Sequence, residues 1–73
     1  MNTKQMEYIV GISEENSITK AAAKLYITQS ALDQQLIKLE KELGLQLFHR
    51  AKNSLKLTEA GQVYVSHAKK IIN

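Results

Sequence analysis

Residues 17 to 50, SITKAAAKLYITQSALDQQLIKLEKELGLQLFHR, constrain the fold more than any other part of this chain. A short alanine-rich helix, a three-residue turn and a longer helix with one apolar stripe follow one another. A phenylalanine and an arginine then stand where a strand should begin. That order predicts a helix-turn-helix running into a wing, an arrangement that holds one helix out from a small core where a DNA groove can receive it.

The helical boundaries can be placed from spacing and caps. Met6, Ile9, Val10 and Ile12 recur at helical spacing, predicting a first helix over about 3 to 15 with Gly11 weakening its middle. Asn16 can close it in the left-handed conformation, and Ser17 or Thr19 can cap the next. The second helix should span roughly Thr19 to Leu25, with Ala21, Ala22 and Ala23 small enough for another helix to approach closely. Tyr26, Ile27 and Thr28 make the turn, and Thr28 is placed to cap a third helix from Gln29 to Leu43 that stops at Gly44.

Leu32, Leu36, Leu39 and Leu43 fall on one stripe at about 100° per residue, which predicts the core face of the third helix. Ser30, Asp33, Gln34, Ile37, Lys38 and Lys41 should then point away from it. A strand Phe48-His49-Arg50 and a second, Leu55-Lys56-Leu57, flank the polar tip Ala51-Lys52-Asn53-Ser54. Thr58 can cap a fourth helix whose apolar side holds Val63, Tyr64, Ala68, Ile71 and Ile72. The chain reaches Asn73 while that pattern is still running, so the helix is expected to continue and the chain to be an N-terminal fragment. The expected fold is therefore all-α with a small β-hairpin: a three-helix core, a two-stranded wing and a C-terminal linker helix.

Composition adds charge. The formal net charge is +3, but residues 1 to 18 sum to −2 and residues 19 to 73 to +5. The basic surplus lies in the helix-turn-helix and beyond it, as on a polyanion-binding face. With 73 residues there is room for one core, and with no cysteine there is neither a disulfide framework nor a thiolate metal site, which fits a reducing compartment. No apolar run is long enough to span a bilayer, so a soluble, intracellular chain is expected. His49 and His67 have no partner at metal-ligand spacing, and no phosphate-cradling glycine loop or base-paired nucleophile occurs. Neither catalysis nor a cofactor or metal is expected, and Lys69 and Lys70 read as solvation or helix-dipole partners.

The run SxTxAAxxLxxTQSALxxQLxxLExELGxxLFxR, followed by LTEAG before a helix, resembles the N-terminal winged helix-turn-helix domain of LysR-type transcriptional regulators. The matching residues are Ser17, Thr19, Ala21, Ala22, Leu25, Gln29, Ala31, Leu32, Gln35, Leu39, Glu40, Leu43, Gly44, Leu47, Phe48, Arg50, Leu57, Thr58, Glu59, Ala60 and Gly61. The resemblance implies sequence-specific binding of double-stranded DNA by a bacterial, cytoplasmic and nucleoid-associated transcription factor. Residues 1–58 would form the DNA-binding domain, with the helix-turn-helix over about 18–43 and the wing over about 46–57. Residues 59–73 would begin the linker helix, which pairs with its twin to make a homodimer reading an inverted repeat. A small-molecule effector would bind only a C-terminal domain that this chain lacks.

On that reading the DNA contacts are Thr28, Gln29, Ser30, Asp33, Gln34, Ile37 and Lys38 from the third helix, with Arg50 and Lys52 from the wing. Gln29 can form a bidentate pair with adenine, Asp33 can accept from a cytosine amino group, and Ile37 can press on a thymine methyl. Gln34 and Lys38 suit phosphates or base edges, and the wing cations suit phosphates or the minor groove. Each has a plainer alternative as a solvated surface residue. Ser30 stands where the family usually has proline, Asp33 and Gln34 where it has serine and arginine, and Ile37 at a commonly basic position, so this face is less positive than the family pattern. Val63, Tyr64, Ala68 and Ile71 are the dimerisation candidates. A winged helix used only for protein interaction is the alternative function.

Overall fold

A computed structural model of the protein describes residues 2–52 and 54–72, and Asn53 of the expected wing tip lies outside them. The element order is α1 (Thr3–Glu15), α2 (Ile18–Leu25), α3 (Gln29–Leu43), β1 (Phe48–Ala51), β2 (Ser54–Leu57) and α4 (Glu59–Ile72). This is the winged helix-turn-helix predicted from the sequence.

Local chemistry sets each boundary. The Asn2 side chain accepts the Gln5 N–H at 2.9 Å while Gln5 accepts the Asn2 N–H at 3.1 Å, a reciprocal capping box for α1. Asn16 ends α1 with φ 55°. Ser17, not Thr19, then caps α2 by accepting the Lys20 N–H, so α2 begins one residue earlier than predicted. Tyr26 turns left-handed at φ 59°, Thr28 accepts the Ala31 N–H at 3.0 Å to start α3, and Gly44 ends it at φ 71°.

Ile9, Val10 and Ile12 of α1 meet Ala21 and Ala22 of α2, and Leu32, Leu36 and Leu39 of α3 complete the helical core. Met6 and Leu43 pack only at its margin. Ala23 faces solvent, contrary to the expectation for the alanine run: it stands about 100° round the helix from Ala22, beyond the narrow side that eight residues can bury. Leu47, Phe48 and Leu55 carry the core into the hairpin, and Val65 and Ala68 of α4 close it over α1.

β1 and β2 are antiparallel, with Phe48 opposite Leu57, His49 opposite Lys56, Arg50 opposite Leu55 and Ala51 opposite Ser54. Each strand is one residue longer at the tip than predicted. Residues that face each other across a ladder share a sheet face. Phe48, Arg50, Leu55 and Leu57 therefore occupy the inner face of the wing, and His49 and Lys56 the outer one. The Leu55 N–H donates to the Asn16 carbonyl at 3.1 Å, anchoring β2 to the corner between α1 and α2.

The wing is tied to α4 at Thr58. Its hydroxyl accepts the Gly61 N–H at 2.9 Å and donates to the Gln46 carbonyl at 2.7 Å, while its N–H donates to the Leu47 carbonyl at 3.0 Å. Gly61 sits against that carbonyl so closely that a Cβ would lie 2.0 Å from the oxygen.

Candidate nucleic-acid interface

The exposed face of α3 begins at its cap. The Thr28 oxygen is engaged by Ala31, leaving its hydroxyl hydrogen to donate elsewhere. Gln29, Ser30, Gln34, Ile37, Lys38 and Lys41 are all exposed. Polar groups that can exchange hydrogen bonds with base edges or phosphates thus run along more than three turns, from Gln29 to Lys41, with Ile37 as one apolar member, half exposed.

Asp33 does not lie with them. By helical rotation it stands about 90° from the leucine stripe rather than opposite it, and the wing covers that flank. Its Oδ1 accepts from Arg50 Nη2 at 2.7 Å. Arg50 reaches it because the hairpin register puts this side chain on the inner face of the wing, opposite buried Leu55. Ile18, Gln29, Ser30, Asp33 and Arg50 together line an open cleft between the start of α2, the start of α3 and β1. The sequence suggested Asp33 and Arg50 as two independent DNA contacts, and the structure joins them. A register argument for the hairpin could have put Arg50 on the inner face of the wing, but its pairing with Asp33 depends on how tertiary packing seats the hairpin against the helix.

Lys52 is exposed beyond the pair, near the tip. His49 and Lys56 are exposed on the outer wing face, and His67 on α4. Among the described residues no group of three histidine, cysteine or carboxylate side chains could hold a metal ion. No helix of the described residues is long and apolar enough to cross a membrane.

Glu40 ties the third helix to the wing, a role that its place in the sequence pattern does not reveal. Its Oε2 accepts the Leu47 N–H at 2.7 Å and the Phe48 N–H at 3.3 Å, so α3 holds the start of β1 directly. Lys24, away from this face, contacts Glu14 at 3.2 Å and Glu15 at 3.5 Å. The Glu14 hydrogen bond and charge, with a smaller push from Glu15, hold the Lys24 ammonium above its usual pKa.

The dimerisation candidates divide. Val63 and Ile71 are 56% and 62% exposed on α4. Tyr64 is half-buried, its hydroxyl has no hydrogen-bond partner among the described residues, and desolvation raises its pKa. Ala68 is 2% exposed and belongs to the domain's own core, so it is not available to a second subunit. Val65, which the sequence reading did not single out, is buried in the same way. The periodicity of α4 blends an inward and an outward apolar side, and only packing against α1 separates them.

Comparison with known proteins places this geometry. Residues 3–62 match the family model described as bacterial regulatory helix-turn-helix protein, lysR family. The chain is 49% identical over 72 residues, 99% of its length and 22% of the relative's, to the uncharacterized HTH-type transcriptional regulator YcgK of Bacillus subtilis (strain 168). It is 40% identical over 73 residues, all of its length and 24% of the relative's, to the HTH-type transcriptional regulator BenM of Acinetobacter baylyi. Among solved structures, a complex of the BenM DNA-binding domain with catB site 1 DNA superposes with TM-score 0.94 at 40% identity, covering 99% of this chain and 80% of that one. A DNA complex of the CbnR DNA-binding domain superposes with TM-score 0.94 at 29% identity, covering 99% and 83%. The chain thus spans about a quarter of the length of these curated relatives. From the start of α1 through the wing to the first turn of α4, the chain belongs to the LysR family of bacterial regulatory helix-turn-helix proteins.

Proposed function

We propose that this domain reads sequence in double-stranded DNA on behalf of a bacterial transcription regulator, with α3 in the major groove and the wing on the flanking backbone. The observation that carries the reading is the uncovered polar face of α3, Gln29, Ser30, Gln34 and Lys38, held out beside a cationic wing on the fold of domains solved bound to DNA. Gln29 and Gln34 are the base-edge readers, and Ile37 supplies an apolar contact suited to a thymine methyl. Lys38 and Lys52 supply phosphate contacts.

Exposed Val63 and Ile71, with Tyr64 lining the apolar clefts beside each of them, are the residues through which α4 pairs with a second copy, so that two domains read an inverted repeat. The regulator works in the cytoplasm, on the nucleoid, and its small-molecule effector binds a domain outside this chain. No catalysis is part of this function.

The reading is tested by titrating the protein into labelled duplex DNA at a series of salt concentrations. Binding whose log K falls linearly with log salt, by about 0.9 for each phosphate neutralised, is the expected result. A domain used only for protein interaction would show no such slope.

A further inference from the structure

Two carboxylates on one flank of α3 hold the wing. Asp33 and Glu40 are seven residues apart, which at about 100° per residue returns the chain to within about 20° of the same direction. Glu40 receives the N–H groups of Leu47 and Phe48 and fixes where β1 starts. Asp33 receives the guanidinium of Arg50, two residues further along β1 than Phe48, at 2.7 Å. With its backbone set by Glu40 and its tip by Asp33, Arg50 spans the cleft beside Gln29 and Ser30, at the start of the helix that enters the groove.

Building on the DNA-binding reading above, we propose that Asp33 is a positioning residue for Arg50: it fixes the guanidinium across this cleft so that the remaining donors meet a DNA phosphate oxygen between helix and wing, and it reads no base itself. A guanidinium carries five N–H donors, and Asp33 engages Nη2. An arginine already held in place loses less rotamer freedom on binding than a free one. The two side chains are 48% and 38% exposed, so the pair contributes little to folding and its effect falls on binding. Ion-pair geometry and simple charge also predict opposite signs. An acid facing phosphates repels them, and its removal would tighten binding; a positioning acid, once removed, releases the arginine and weakens it.

The test uses the intact protein and a duplex that it binds, with Asp33→Ala, Asp33→Asn, Arg50→Ala and the double alanine variant measured by fluorescence anisotropy. Asp33→Ala should weaken binding about five- to tenfold for every sequence alike, a coupling typical of residues in contact. Asp33→Asn keeps an acceptor oxygen and should stay within about threefold of the parent. Arg50→Ala should weaken binding about tenfold and lower the salt slope by about one phosphate, and should cost little more once Asp33 is alanine. Melting temperatures should fall by no more than about 4–8 °C from the parent, as expected for an exposed pair. Tighter binding by Asp33→Ala, strictly additive losses, or altered preference at a single base pair would each overturn the proposal. If the parent protein binds no duplex at all, the DNA-binding reading fails and this one falls with it; if the parent binds and only the coupling is absent, this inference alone is refuted.

Discussion

Glu40 on α3 accepts the backbone N–H of Leu47 at 2.7 Å and so fixes the point at which the chain leaves the helical core and enters the wing. Leu47 and Phe48 are both buried, and Glu40 is their polar anchor. Glu40→Ala leaves both donors without a partner in a place water reaches poorly, a loss of about 1–3 kcal/mol. A domain of this size shifts in melting temperature by roughly 4–8 °C per kcal/mol. Glu40→Gln retains an acceptor oxygen and should lose less than half as much in the same thermal melt.

The glycines should respond to alanine in a definite order. A Cβ at Gly61 would lie 2.0 Å from the Leu47 carbonyl oxygen, which is backbone, so Gly61→Ala must separate α4 from the wing. A loss of about 2–3 kcal/mol or more follows. At Gly44 there is open space but φ is +71°, and alanine there should cost about 1 kcal/mol. At Gly11 the nearest atom is Leu25 Cδ1 at 3.0 Å, the end of a flexible side chain, and the gain in helix propensity of about 0.5–1 kcal/mol offsets the crowding. Chemical denaturation of the three variants should rank them Gly61, Gly44, Gly11 from most to least destabilised.

These two groups of residues show where sequence reading succeeds. Asn16, Thr28, Gly44 and Thr58 act through neighbours a few positions away, and each end they mark lies where the spacing predicted it. Glu40, Gly61 and Arg50 act on parts of the chain brought near by folding, and only the folded arrangement gives their roles. Asp33 is the instructive case: rotation about α3 puts it on a flank, but whether that flank meets solvent, DNA or protein depends on where the wing comes to rest. Ala68 and Val63 share one apolar helix, and their opposite fates depend on the seat of α4 on α1.

Lys52 is exposed in the wing without an ion-pair partner among the described residues, so its contribution to binding should be purely electrostatic. Lys52→Ala should weaken binding to specific and non-specific duplexes by similar factors and reduce the salt slope by about one charge. Anisotropy titrations at several salt concentrations measure both. A change in base preference at constant slope would contradict the assignment.

Val63 and Ile71 stand on α4 with more than half their surfaces uncovered, so charging one should leave the subunit's own core intact. Val63→Glu in the intact protein should shift sedimentation from dimer to monomer and weaken binding to a two-half-site duplex by about a hundredfold or more, while single half-site binding is kept. Ala68→Glu should instead unfold the domain, because the charge would be buried in the core.

The most direct measurement is selection of bound duplexes from a random library by the intact protein, followed by sequencing. The account predicts an inverted repeat whose half-sites lie about one helical turn, or a multiple of it, apart and whose preferences change when Gln29 or Gln34 is replaced. Recovery of duplexes without a common motif, bound equally by the Gln29→Ala and Gln34→Ala proteins, would contradict the claim that α3 reads sequence.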